Sequence, residues 1–98
     1  MQIIILGAGR VGMRTARVLR REGHDITIID GDRERIEMAT EDGFTVVHGD
    51  GSHEEVLLDG GIREAAAIGA LTGDLNVNFA ACSIAKHHTT WTVMRVDI

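Results

Sequence analysis

Gly7, Gly9 and Gly12 stand in a G-x-G-x-x-G spacing directly after the apolar run Ile3-Ile4-Ile5-Leu6. A short continuous run of mostly β-branched side chains, ended by glycine, is the pattern of a strand buried on both faces of a parallel sheet. Gly7 then allows a tight turn out of the strand, Gly9 lets a pyrophosphate approach the backbone, and Gly12 lets the following helix pack closely on the sheet. A helix starting near Arg10 or Val11 aims its unpaired N–H groups and the positive end of its dipole at that pyrophosphate. The result is a binding site made mostly of backbone.

A glycine pattern needs context, and the next segment supplies it. A second strand, Ile26 to Ile29, ends in Asp30, at about the twenty-residue distance where an acidic group meets a ribose. A carboxylate accepts hydrogen bonds from a free 2′-OH and repels a 2′-phosphate, so Asp30 favours NAD or another adenosine nucleotide over NADP. The alternative is a glycine turn that merely packs tightly.

Between these strands, Val11 to Glu22 reads as an amphipathic helix with Val11, Val18 and Leu19 facing the sheet. Arg10, Arg14, Arg17 and Arg21 form a basic stripe on its other side. Such a stripe reads as a solvated face; the sharper reading gives Arg10 a phosphate contact and the outer arginines an acidic partner. Gly23 ends the helix.

Beyond Asp30, a second helix begins within Gly31 to Arg35 and runs to about Asp42, with Ile36 and Ala39 inward. Asp32 either caps it or makes a second ribose contact. Phe44 to His48 is the third strand, and Gly49-Asp50-Gly51 turns at its carboxyl end, which places Asp50 at the adenine side of a ligand or in a plain Asp-Gly turn. Ser52 is expected to cap a short helix, with Glu55 in capping-box spacing. Ala65 to Leu71 contains the fourth strand, followed by Thr72-Gly73-Asp74. A helix to about His87 turns Val77, Ala80, Ala81, Ile84 and Ala85 inward and leaves Asn76, Asn78 and Lys86 on its polar side. Trp91 to Val96 is the fifth strand, with Trp91 packing at the sheet edge. Strands alternating with helices imply right-handed crossovers, hence an α/β, Rossmann-type doubly wound parallel sheet of five strands in the order 3-2-1-4-5.

Ninety-eight residues support one domain, residues 1–98, which is small for a complete dinucleotide-dependent enzyme. A formal net charge of −5 and the lack of a basic block give no support to nucleic-acid binding. The apolar stretches are strand-sized, so neither membrane insertion nor a signal peptide is expected. A single cysteine, Cys82, forms no internal disulfide and suits a reducing cytoplasm. With no tyrosine in the chain, a tyrosine–lysine dehydrogenase pair is excluded. The glycine loop has no Gly-Lys-Ser/Thr ending, which excludes a triphosphatase phosphate loop. Cys82 reads as a buried small side chain and His48 and His53 as solvent-facing; no set of metal ligands appears at usable spacing.

Four segments together resemble the TrkA N-terminal domain, the module also called the RCK or KTN domain of potassium transport regulators. They are Ile3 to Gly12, Gly23 to Asp30, Val46 to Ser52 and Ala70 to Asn78, and the similarity covers nearly the whole chain. The resemblance implies a domain that binds NAD, NADH, ATP or ADP, does no hydride chemistry, and sits on the cytoplasmic side of a membrane potassium transporter subunit as a homodimer or higher ring. It assigns Gly7, Gly9, Arg10, Val11 and Gly12 to the phosphates, Asp30 with Asp32 and Arg33 to the adenosine ribose, and Asp50 and Gly51 to the adenine. Thr72 and Asp74 fall on the other side of the cleft, and Arg95 matches the arginine of the family's closing strand. The family's domain usually continues past strand five, so this chain reads either as a minimal module or as a piece cut short there. The rival reading is the cofactor-binding part of an NAD-dependent oxidoreductase, disfavoured because no acid, base or nucleophile is placed beside a nicotinamide.

Overall fold

The computed structural model describes residues 1–88 and 91–96. Five parallel strands form one sheet in the order β3-β2-β1-β4-β5, as the alternation of elements predicts. The strands are β1 (Gln2–Leu6), β2 (Asp25–Asp30), β3 (Thr45–His48), β4 (Ala67–Ala70) and β5 (Trp91–Met94). Helices α1 (Arg10–Arg21), α2 (Arg33–Glu41), α3 (Glu54–Asp59) and α4 (Leu75–Lys86) make the crossovers. β1 is central: Leu6 pairs with Ile29 on one side and Ala70 on the other.

Because β1 is flanked by strands and covered by helices, its side chains alternate between two cores. Ile3 and Ile5 join Met13, Ala16, Ile28 and Phe44 on the face covered by α1 and α2. Ile4 and Leu6 join Ile29, Leu57, Ile68 and Ala81 on the face covered by α3 and α4. This is why the sequence there is continuously apolar rather than alternating.

Helix α1 faces the sheet differently from the sequence expectation. Val11 and Val18 are 38% and 43% exposed, and Gly12, Met13 and Ala16 are buried instead. A Cβ at Gly12 would lie 1.8 Å from the carbonyl oxygen of Gly7, so this position makes the closest approach to the β1 turn. With residue 12 inward and about 3.6 residues per turn, positions 16 and 19 follow it and positions 11 and 18 rotate outward. Leu19 accordingly packs on the core, as expected.

Three further expectations are corrected. Ser52 does not cap α3: the N-cap is His53, without a side-chain bond, and Ser52 instead donates to Asp50. Asn78, read as polar surface, is 1% exposed. Trp91 lies on the edge strand but is 77% exposed rather than packed. The helix ends are as read: at α2, Gly43 (φ +89°) donates to Thr40 and Phe44 donates to Ala39, the paired bonds of a left-handed glycine terminus.

Gly12→Ala should destabilise the fold by at least ~2 kcal/mol, because the new methyl group collides with backbone. Gly73→Ala, where an added Cβ meets nothing within 4 Å, should stay within ~0.5 kcal/mol of the parent. Urea denaturation of the two variants beside the parent checks both values.

Candidate functional site

In a doubly wound sheet the chain leaves the central strand in opposite directions, and a crevice opens at the carboxyl ends where it does so. Here that point lies between β1 and β4. A cleft of about 310 Å³ occupies it, lined by Leu6, Asp30, Arg35, Asp50, Thr72 and Asp74 together with the glycines of three loops. The structure thus brings together predicted residues from the ends of β2, β3 and β4 at the tip of β1.

Asp30 organises this cleft. It is 8% exposed, and both carboxylate oxygens accept backbone N–H bonds. Ala8 donates to Oδ2 at 2.7 Å and Asp32 donates to Oδ1 at 2.7 Å. One side chain therefore joins the β1–α1 turn to the β2–α2 turn. Its backbone carbonyl accepts from Gly49 at 3.0 Å and so also reaches the turn after β3. Charge-assisted bonds of this kind are short and about twice as strong as neutral ones.

The other aspartates each commit an oxygen to their own loop. Asp32 Oδ1 accepts from Glu34 and Arg35 and so caps α2. Asp74 Oδ1 accepts from Asn76 and Val77 and caps α4. Asp50 Oδ1 accepts from both the backbone N–H and the hydroxyl of Ser52, and these bonds hold its carboxyl below the usual aspartate range. His48 is exposed, as expected, and also donates from Nε2 to the Gly31 carbonyl at 2.9 Å, which braces the same rim.

Helix α1 is the contrast. Its N-cap is Gly9, with no side-chain cap, so the N–H groups of its first turn have no side-chain acceptor. Gly7 turns with φ +109°, where a side chain would also press on the Leu71–Thr72 backbone at 3.0 Å. Around Gly9 there is room: a Cβ there would meet only the Arg35 guanidinium, 3.6 Å away. An uncapped positive helix end beside open space is chemically suited to a phosphate.

Not every predicted residue lines the cleft: Gly7, Gly9, Gly12 and Asp32 do not, and neither do Arg10, Val11 and Arg33. Arg10 lines a second, adjoining concavity of about 600 Å³ with Gly9 and Arg35. Val11 is exposed on the first turn of α1, and Arg33 is exposed at the start of α2 and lines neither hollow.

Two residues were missed. Arg35 borders both concavities, with Nη1 3.9 Å from Asp30 Oδ2. Its signal was its place on the first turn of a helix capped by Asp32. Asn78 is the other. Its Oδ1 accepts from Thr72 N at 3.1 Å and from Thr72 Oγ1 at 2.6 Å, while its Nδ2 donates to the carbonyls of Thr72 and Arg95. It thereby ties the cleft's far lip to the end of β5. Asn78 shares a helical stripe with Ala81 and Ala85, and that spacing was the available clue.

A family model described as TrkA-N domain matches residues 3–97. The Trk system potassium uptake protein TrkA homolog of Pyrococcus horikoshii is 41% identical over 99 residues, spanning 98% of this chain and 43% of that protein. The chain therefore spans less than half the length of that relative. Among solved structures, the NAD(P)-binding domain of an exopolyphosphatase-related protein from Archaeoglobus fulgidus superposes with TM-score 0.86 at 21% identity, covering 98% of this chain and 73% of that one. The Shewanella denitrificans Kef CTD in AMP-bound form superposes with TM-score 0.79 at 22% identity, covering 96% of this chain and 57% of the other. At these identities the structures establish a shared fold.

Asn78→Leu should cost about 3 kcal/mol, since it leaves the Thr72 and Arg95 backbone groups without their buried partner. Chemical denaturation checks the value.

Proposed function

Because the chain belongs to the TrkA-N domain family, we propose that it is the nucleotide-binding regulatory domain of a potassium uptake system, sensing NAD(H) or ATP/ADP and gating a membrane transporter. The observation that carries this reading is the closeness of an uncapped α1 N-terminus to the buried Asp30 carboxylate, which accepts from Ala8, the residue just before the Gly9 N-cap. The first suits a diphosphate and the second a ribose, the two parts that all these nucleotides share. The open space over Gly9 fits a phosphate pressed against the backbone.

In this reading the backbone of Gly7, Gly9, Val11 and Gly12, with the Arg10 side chain, holds the phosphates. Asp30, flanked by Asp32 and Arg33, takes the ribose. Asp50 and Gly51 border the adenine, and Thr72 and Asp74 close the cleft opposite. Arg35, between the ribose and phosphate positions, adds a cation the sequence reading did not include. The domain does no chemistry on its ligand; it acts at the cytoplasmic face of the membrane as a homodimer or larger ring bound to a transporter subunit. The naming of the relatives as potassium uptake proteins supports the transport role. The structural neighbours, one named as NAD(P)-binding and one as AMP-bound, support an adenosine nucleotide. A bound nucleotide gates a partner only by binding two conformations with different affinity.

Gly9→Ala separates ligand binding from folding, because its methyl group fills the phosphate approach while displacing no backbone. Thermal unfolding with NAD, NADH, NADP, ATP and ADP should show stabilisation of the parent by the adenosine nucleotides, about 2.7 kcal/mol at a hundredfold excess over Kd, and less with NADP. The variant should unfold near the parent's temperature without ligand and lose the nucleotide shift. A parent that responds to none of the five contradicts the proposal.

A further inference from the structure

The exposed arginine stripe of α1 borders a groove. Arg10, Arg14, Arg17 and Arg21 form one wall of the groove of about 600 Å³ between α1 and α2, with Met13 and Met38 as its apolar lining. Arg17 is paired with Asp42 at 3.0 Å. Arg20, one position off the stripe, donates to the Asp42 carbonyl and stacks 3.8 Å from the Phe44 ring centroid, which ties α1 to the end of α2. Among the described residues no ion pair or side-chain hydrogen bond reaches Arg10, Arg14 or Arg21. Three unpaired guanidinium groups thus share one hollow with a methionine, Met38, that is 64% exposed.

We propose that this groove docks an acidic, amphipathic segment of a protein partner, its carboxylates on Arg14 and Arg21 and an apolar side chain on the exposed Met38. The length of the groove favours a segment over a nucleotide's phosphates. At about 1.5 Å of rise per residue, Arg10 to Arg21 covers roughly 16 Å of helix, and only the Arg10 end adjoins the glycine turn. Its chemistry favours a peptide over a bare anion: guanidinium forks hold carboxylates and phosphates alike, but only a peptide also brings an apolar side chain to the exposed Met38. Its shape favours a peptide over a bilayer: the cations line a concavity between two helices, which a segment can enter and a flat surface cannot. A helix lying in a groove is an established way to recognise such a segment. The proposal rests on the regulatory reading above, in which the domain acts by holding a partner, and it places that partner beside the phosphate turn.

The test uses a fluorescein-labelled helical peptide with glutamates along one face and leucines beside them, followed by anisotropy. The parent should bind it, more weakly as salt rises. Arg14→Glu/Arg21→Glu should weaken binding at least tenfold, whereas Arg14→Lys/Arg21→Lys should retain most of it, and a Glu→Gln peptide should bind no variant. Both arginines are exposed, so circular dichroism and unfolding temperature should match the parent. The nucleotide shift should persist in both double variants; its absence from the parent with peptide binding intact would overturn the nucleotide reading and leave the groove standing. Failure of the parent to bind, binding untouched by charge reversal, or arginine-dependent sedimentation with phosphatidylglycerol vesicles in place of peptide binding would each overturn the groove proposal.

Discussion

The Asp30 carboxylate is the contact on which the cleft depends. It stands at the end of β2, buried, and takes one N–H from the turn after β1 and one from the turn after its own strand. Without it, two loops whose backbones must face the same point would be joined only through the sheet. A buried carboxylate with fewer acceptor bonds would be costly, and the two N–H donors offset that cost while fixing the loops. Holding the turns is compatible with the proposed ribose contact, because each carboxylate oxygen has a second lone pair.

The parallel sheet converts this local clamp into a site. Order 3-2-1-4-5 puts β1 between strands reached by crossovers on opposite faces, so the loops after β2, β3 and β4 converge over its tip. Each loop is then stiffened by a side chain within it or just beyond it: Asp32, Asp50 with Ser52, and Thr72 with Asn78. Of the helices at this rim, α2 and α4 carry side-chain caps, whereas α1 and the six-residue α3 do not, and of those two only α1 starts from a glycine. That asymmetry follows from having glycine at residue 9, where aspartate or serine would satisfy the donors internally.

Much of this was legible in the residues. The glycine spacing, the buried strand before it, the acid after β2 and the alternation of elements were enough for the sheet order and the position of the crevice. What misled was orientation and chemistry at single positions. Val11 and Val18 look like core side chains, yet the contact of Gly12 with the Gly7 carbonyl sets the rotation of α1, and a glycine carries no hydrophobic signal. Ser52 has the right spacing for a capping box, yet Asp50 competes for it two residues earlier. Asn78 was discounted because it is polar, although its helical position is as inward as that of Ala81. Arg35 was passed over for Arg33 because sequence distance from Asp30 does not reveal which side of the first turn returns to the cleft.

The most direct test of the central claim, that the clamped turns form one phosphate and ribose site, is a ¹⁵N–¹H NMR titration of the labelled domain with ADP. The account predicts that the largest shifts fall on the amides of Ala8 to Gly12, Gly31, Asp32 and Gly51, with the opposite end of the sheet, around His24 and Thr45, unmoved. Shifts concentrated at that opposite end, or a spectrum unchanged at saturating ADP, would contradict it.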